Sequence, residues 1–139
     1  MGRDVMTKDV IYIRDYDWTV EVFSMFTCDK VNLVMDSLES AGCDIEHLHL
    51  AYENMMSCGF DTGLTFSSIK KRFSVVVIYT GSSASEYINT TIHEIAHVCA
   101  HISKSQNEEM DEEDFCELFG DISGMLSNTI IQSLTTYYL

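Results

Sequence analysis

The fold is decided by residues 73 to 102, FSVVVIYTGSSASEYINTTIHEIAHVCAHI. The run Val75-Val76-Val77-Ile78 is apolar enough to form a strand that is buried on both faces. Gly81 ends this strand, and Ser83 followed three residues later by Glu86 forms the capping pattern that opens a helix. The helix is expected to run to about Ile102. The sequence therefore predicts a buried strand followed directly by a long helix.

Two hairpins are predicted, and the buried strand belongs to the second of them. Residues 10–13 and 18–26 are rich in β-branched and aromatic side chains and are separated by a polar turn, so they form the first hairpin. Residues 64–69 and 73–79 form the second hairpin, around a pair of lysines. Four strands are therefore available for one small sheet.

Three further helices complete the predicted order. The first follows a cap at Asp29, and the second runs over residues 44–56. The last begins after Asp111 and runs to roughly Leu134, because its apolar residues recur at helical spacing. Two strands, two helices, two strands and two helices then follow one another, which indicates an α+β fold in one domain over residues 1–139.

Composition excludes several classes of function. The net charge is −14, from 22 acidic residues against 8 Lys and Arg, and this argues against a nucleic-acid-binding surface. No stretch of 18 apolar residues and no signal peptide is present, so we expect a cytoplasmic protein without a membrane partner. The spacing of the five cysteines favours reduced, mostly buried thiols: Cys28, Cys43, Cys58, Cys99 and Cys116.

The long helix carries a pattern that is typical of a zinc site. His93 and His97 are four residues apart, so both imidazoles leave the same face of the helix and can converge on one ion. Glu94 lies beside that face, where a carboxylate can act as a general base toward water. A catalytic zinc needs a third protein ligand and one open position.

The last helix offers the third ligand. Glu117 falls about 9 Å along this helix from its start, so a helix that folds back brings it level with His97. Asp121, four residues later on the same face, would accept the ring N–H of a ligand histidine. Glu113 is the alternative ligand, although a first-turn acid also favours the helix dipole without any metal. We expect Glu117 to bind.

Residues 93 to 124 resemble the thermolysin-like gluzincins, in which HExxH is followed by a glutamate ligand within an ExxxD helix. In size the chain is similar to the small HExxH proteins of phages and bacterial mobile elements. The resemblance implies a zinc-dependent peptidase that acts on peptides or proteins, with His93, His97 and Glu117 as ligands and Glu94 as general base. The alternative is a catalytically inactive zinc-binding interaction protein of the same fold.

The resemblance also implies a minimal zincin fold, in which a small sheet packs against the active-site helix and a C-terminal helix. We expect the zinc in a groove between the active-site helix and an edge strand near Tyr79, which could hold substrate by strand addition. The group that stabilises the oxyanion stays open among Tyr79, Tyr87 and His101.

Overall fold

The computed structural model describes residues 5–139, in which four strands form one mixed sheet. The strands are β1 Thr7–Ile13, β2 Trp18–Phe26, β3 Gly63–Ser68 and β4 Phe73–Tyr79, in the order β1-β2-β4-β3. β1 is antiparallel to β2 and β3 is antiparallel to β4, so both predicted hairpins are confirmed. The two hairpins join through the parallel pair of β2 and β4. β1 and β3 are therefore the opposite edges of the sheet.

Helices cover both faces of the sheet. They are α1 Val31–Ser40, α2 Ile45–Met56, α3 Ala84–Ser105, α4 Glu112–Met125 and α5 Ser127–Ser133, followed by a π-helical turn at Leu134–Tyr138. The α+β class is confirmed. None of the helices within residues 5–139 is long and apolar enough to cross a membrane.

Each face of the sheet has its own core. One face packs against α3 and α4 and contains the apolar side chains Trp18, Val20, Val22, Val76, Ile78, Ile95, Val98, Ile102, Leu118 and Ile122. The other face packs against α1 and α2 and contains Phe23, Phe26, Val34, Leu38, Met55, Val75, Val77 and Tyr79. β4 contributes alternate residues to both cores, which is why residues 75–79 are apolar without interruption.

Side-chain caps mark the start of α2, α3 and α4, whereas α1 has no side-chain cap and the predicted cap at Asp29 is wrong. The Ser83 hydroxyl accepts the backbone N–H of Glu86 at 3.2 Å and starts α3 where the sequence predicts. Asp111 likewise caps α4 through the N–H of Asp114. The prediction of one helix from Asp111 to Leu134 is wrong, because the chain is divided near Leu126 into α4 and α5.

The expectation of reduced thiols is wrong for two cysteines. Cys28 and Cys58 form a disulfide that ties the start of α1 to the segment after α2. Cys43 and Cys99 are free and buried, as expected, whereas Cys116 is free and exposed. The pairing was missed because it joins residues 30 positions apart, whose proximity follows only from the packing of α1 against α2.

Candidate metal centre

The two histidines of the motif meet on the exposed face of α3. His93 and His97 are both exposed, and their Nε2 atoms lie 3.1 Å apart. Their rings contact edge to face, with centroids 4.7 Å apart. The helical spacing of four residues therefore does bring both imidazoles to one point, as the sequence predicts.

Glu94 points in a different direction from the histidines, toward the sheet. Only 5% of its surface is exposed, and the Thr65 hydroxyl of β3 donates a hydrogen bond of 2.7 Å to its Oε1. Gly63, two residues earlier on β3, lies against the side chain of Glu94. A buried carboxylate without a partner would be costly, so this contact to β3 stabilises its position.

His93, Glu94 and His97 form the one group in the described part of the chain that could hold a metal ion. One ligand atom from each lies within 4.8 Å of the other two. Two nitrogens bound to a tetrahedral zinc are about 3.3 Å apart, given zinc–nitrogen bonds of about 2.0 to 2.1 Å. The 3.1 Å between the imidazole nitrogens is close to this value, and neutral imidazole suits zinc among other metals. The two imidazoles are therefore spaced so that they could hold one metal ion.

An acidic cleft opens beside the group, between the loop before β3 and the first half of α3. Its volume is about 260 Å³, and its lining residues are Asp61, Thr62, Gly63, Glu86, Asn89, Thr90, His93 and Glu94. None of the described residues that line it is Lys or Arg. Asp61 is fixed by Ser82, whose backbone N–H and hydroxyl donate to its two oxygens at 2.7 and 2.8 Å. The cleft therefore has a negative potential.

His101 continues the histidine series one turn further and joins a polar network. Its Nδ1 lies 2.7 Å from the hydroxyl of Ser67 on β3, which in turn lies 2.7 Å from Ser74 on β4. The indole N–H of Trp18 donates to Ser74 at 2.9 Å. Burial lowers the pKa of His101, and the charges of His97 and Lys104 add to this effect. His101 therefore connects α3 to the sheet.

The structure does not bring the predicted third ligand into the group. Glu117 is exposed on α4, whereas Leu118 and Ile122 of the same helix face the core. Its charge contributes to raising the pKa of Tyr16, after burial and other acidic neighbours, and Tyr16 lies in the connection between β1 and β2. Glu94 lies beside β3, at the opposite edge of the sheet.

Two other acidic residues of α4 that were candidates for the site also lie outside it. Glu113 and Asp121 are both exposed, and neither belongs to the group formed by the histidines and Glu94. Among the described residues, Asp121 makes no hydrogen bond or ion pair with a histidine ring. The third ligand therefore stays a prediction.

An edge strand does lie near Tyr79, because the backbone N–H of Tyr79 donates to the carbonyl of Thr62, just before β3, at 3.1 Å. Tyr79 belongs to β4, which is paired on both sides, and the edge strand beside α3 is β3. The Tyr79 hydroxyl donates to the side-chain oxygen of Asn54 on α2 at 2.7 Å, on the face of the sheet opposite α3, and burial raises the pKa of Tyr79 to about 12. Tyr87 is also fully buried, with its hydroxyl 2.7 Å from that of Ser24. Of the three candidates for stabilising an oxyanion, His101 alone is partly exposed.

Sequence reasoning did not identify Gly63 and Thr65, which contact Glu94. The signal in the sequence is weak but present: small or polar residues alternate at 63, 65 and 67, the first just before the predicted strand 64–69 and the others within it. Such alternation places them all on one face. The order of strands in the sheet decides which face of the sheet these residues occupy and which helix packs against them.

Comparison with known proteins identifies no relative. The chain matches no protein-family model, no curated protein and no solved structure. The resemblance to the gluzincins therefore rests on the motif residues alone.

Proposed function

We propose that the protein is a zinc-dependent metallopeptidase in which His93 and His97 hold the metal and Glu94 is the general base. The observation that carries the proposal is the convergence of two imidazole nitrogens, 3.1 Å apart, beside a buried carboxylate. When bound, zinc would supply Lewis-acid chemistry toward a peptide carbonyl and toward water. Glu117, which is exposed on α4, is the proposed third ligand.

Glu94 moves the proton in the proposed reaction. Its carboxylate takes a proton from the attacking water and delivers it to the amine of the leaving peptide. Because Thr65 donates to Oε1, one oxygen is engaged and the other is available for this transfer.

The substrate class follows from the surroundings of Glu94. An extended peptide can add to β3, because β3 is paired with β4 on one side only. The acidic cleft on its α3 side attracts a basic side chain and repels an acidic one. We therefore expect peptides or unfolded proteins with Lys or Arg near the cleaved bond to be preferred.

The test compares the wild type with Glu94→Gln on an unstructured protein in the presence of zinc. Gln keeps an oxygen that accepts the Thr65 hydroxyl, so the fold and the zinc content should be retained while cleavage is lost. Glu46→Gln, which changes an exposed carboxylate on α2, is the matched control and should cleave normally. Cleavage by Glu94→Gln at the rate of the wild type would refute the role of Glu94.

The exposed position of Glu117 supports a second candidate, a zinc-binding interaction protein without peptidase activity. A site with two histidines and an unsettled third ligand can bind metal without being arranged for catalysis. This candidate predicts one zinc per chain and no cleavage by the wild type. The same experiment therefore separates the two functions.

A further inference from the structure

One face of β3 is built from small and polar residues and lies against α3. Gly63, Thr65 and Ser67 alternate along the strand, and their partners on β4 include Ile78, Val76 and Ser74, which also face α3. Leu64 and Phe66, between them, pack against the opposite core. The strand therefore presents hydroxyl groups and a gap to α3, instead of apolar side chains.

Thr65 meets Glu94 in this interface. Its hydroxyl donates a 2.7 Å hydrogen bond to Oε1, and this is the one side-chain hydrogen bond that Glu94 makes among the described residues. Because only 5% of Glu94 is exposed, water cannot readily replace the Thr65 hydroxyl as its hydrogen-bond donor. The rotamer of Glu94 therefore depends on Thr65.

Gly63 provides the space that the Glu94 side chain occupies. A Cβ atom at position 63 would lie 2.7 Å from Cγ, 2.8 Å from Oε2 and 2.9 Å from Cδ of Glu94. All three distances are shorter than real Cβ contacts. A glycine within a strand commonly marks such a close approach. Any other residue at position 63 would therefore force either the Glu94 side chain or β3 to shift.

We infer that Gly63 and Thr65 are positioning residues, which together hold the Glu94 carboxylate beside the two histidines. The inference rests on the proposed function for its catalytic consequence, but the contact itself can be tested without catalysis. Gly63 fixes where the side chain lies, and Thr65 fixes how its carboxylate is turned. The edge strand of the sheet thus sets the geometry of the base on the neighbouring helix.

A double-mutant cycle tests the contact between Thr65 and Glu94. Thr65→Val removes the hydroxyl and keeps the branched shape, so it should lower the urea midpoint by about 0.5 to 1 M in the wild type. In a Glu94→Ala background the same change should lower the midpoint by less than half as much. Thr19→Val, on the sheet face opposite α3, is the matched control, and it should change the urea midpoint equally in the wild type and in the Glu94→Ala background. Equal effects of Thr65→Val in both backgrounds would overturn the inference.

Peptide cleavage tests the catalytic consequence. Thr65→Val should reduce kcat by roughly tenfold with little change in KM, and Thr65→Ser, which restores the hydroxyl, should recover much of that loss. Coupling in the cycle together with unchanged kcat in Thr65→Val would overturn the positioning role. If the wild type itself cleaves nothing, the proposed peptidase function fails, and the double-mutant cycle still decides whether Thr65 holds Glu94.

Discussion

Gly63→Ala is the smallest change that should disturb the base on α3. The added methyl group would meet the middle of the Glu94 side chain, at 2.7 Å from Cγ, about 0.7 Å short of the 3.4 Å at which ordinary contact begins. Glu94 cannot simply turn away, because it is buried and hydrogen-bonded to Thr65. Either β3 moves away from α3, or the carboxylate loses its donor.

The cost of either movement can be estimated. Crowding a packed site costs about 1 to 3 kcal/mol, and loss of a hydrogen bond to a charged group costs about 1.5 to 3 kcal/mol. Replacing glycine in a strand regains about 0.5 to 1 kcal/mol of chain entropy. Since the two costs are alternatives, the net loss is about 1.5 kcal/mol, which lowers Tm by roughly 5 °C.

The assay is thermal unfolding of the purified chain, with Gly120→Ala as the matched control. Gly120 lies in α4, where an added Cβ would meet nothing within 4 Å, so alanine should stabilise the helix by about 0.5 to 1 kcal/mol. The two glycine-to-alanine changes should therefore shift Tm in opposite directions. In a Glu94→Ala background the loss caused by Gly63→Ala should largely disappear. A rise in Tm for Gly63→Ala in the wild type would refute the close approach.

Four further predictions concern the disulfide, the buried tyrosine, the cleft and the third ligand. Replacing both Cys28 and Cys58 by Ser should reduce the free energy of unfolding by about 3 to 4 kcal/mol in urea, because the bridge closes a loop of 30 residues; an unchanged value contradicts it. Burial raises the pKa of Tyr79 to about 12 in the folded chain, whereas its ordinary pKa is about 10, so the stability that the protonated hydroxyl contributes below pH 10 is lost as the pH rises to 12. Between pH 10 and 12 the free energy of unfolding should therefore fall by about 2 to 3 kcal/mol less in Tyr79→Phe than in the wild type. If the free energies of unfolding of the two proteins change in parallel over this pH range, the role given to the buried hydroxyl is refuted. Peptides with Lys beside the cleaved bond should be hydrolysed faster than those with Glu, and added salt should narrow the difference; equal rates at low salt would exclude an electrostatic role for the cleft. Zinc content should fall more in Glu117→Ala than in Glu113→Ala. The reverse order would make Glu113 the third ligand, and no loss of zinc in either variant would show that α4 supplies no ligand to the metal.

Local features of the fold were predictable from the sequence. The hairpins follow from turns between runs of β-branched residues, and α3 begins at Ser83 because a hydroxyl there can accept the N–H of Glu86. The convergence of His93 and His97 follows from the pitch of a helix alone. Each of these depends on residues only a few positions apart.

Features that depend on packing between distant segments were not predictable. Placing Glu117 level with His97 required only a helix that folds back, but the rotation of α4 is set by Leu118 and Ile122, which turn Glu117 to solvent. The parallel pairing of β2 with β4 puts β4 inside the sheet and makes β3 the edge strand beside α3. The contact between Thr65 and Glu94, 29 positions apart, follows from that order of strands.

The most direct test of the central claim is the zinc content of the purified protein, measured by elemental analysis without added metal. We predict about one zinc per chain in the wild type, little in His93→Ala, and a full equivalent in His49→Ala, which changes an exposed histidine paired with Glu53 on α2. A wild type without zinc, or a His93→Ala variant that retains the same amount, would contradict a metal centre on α3.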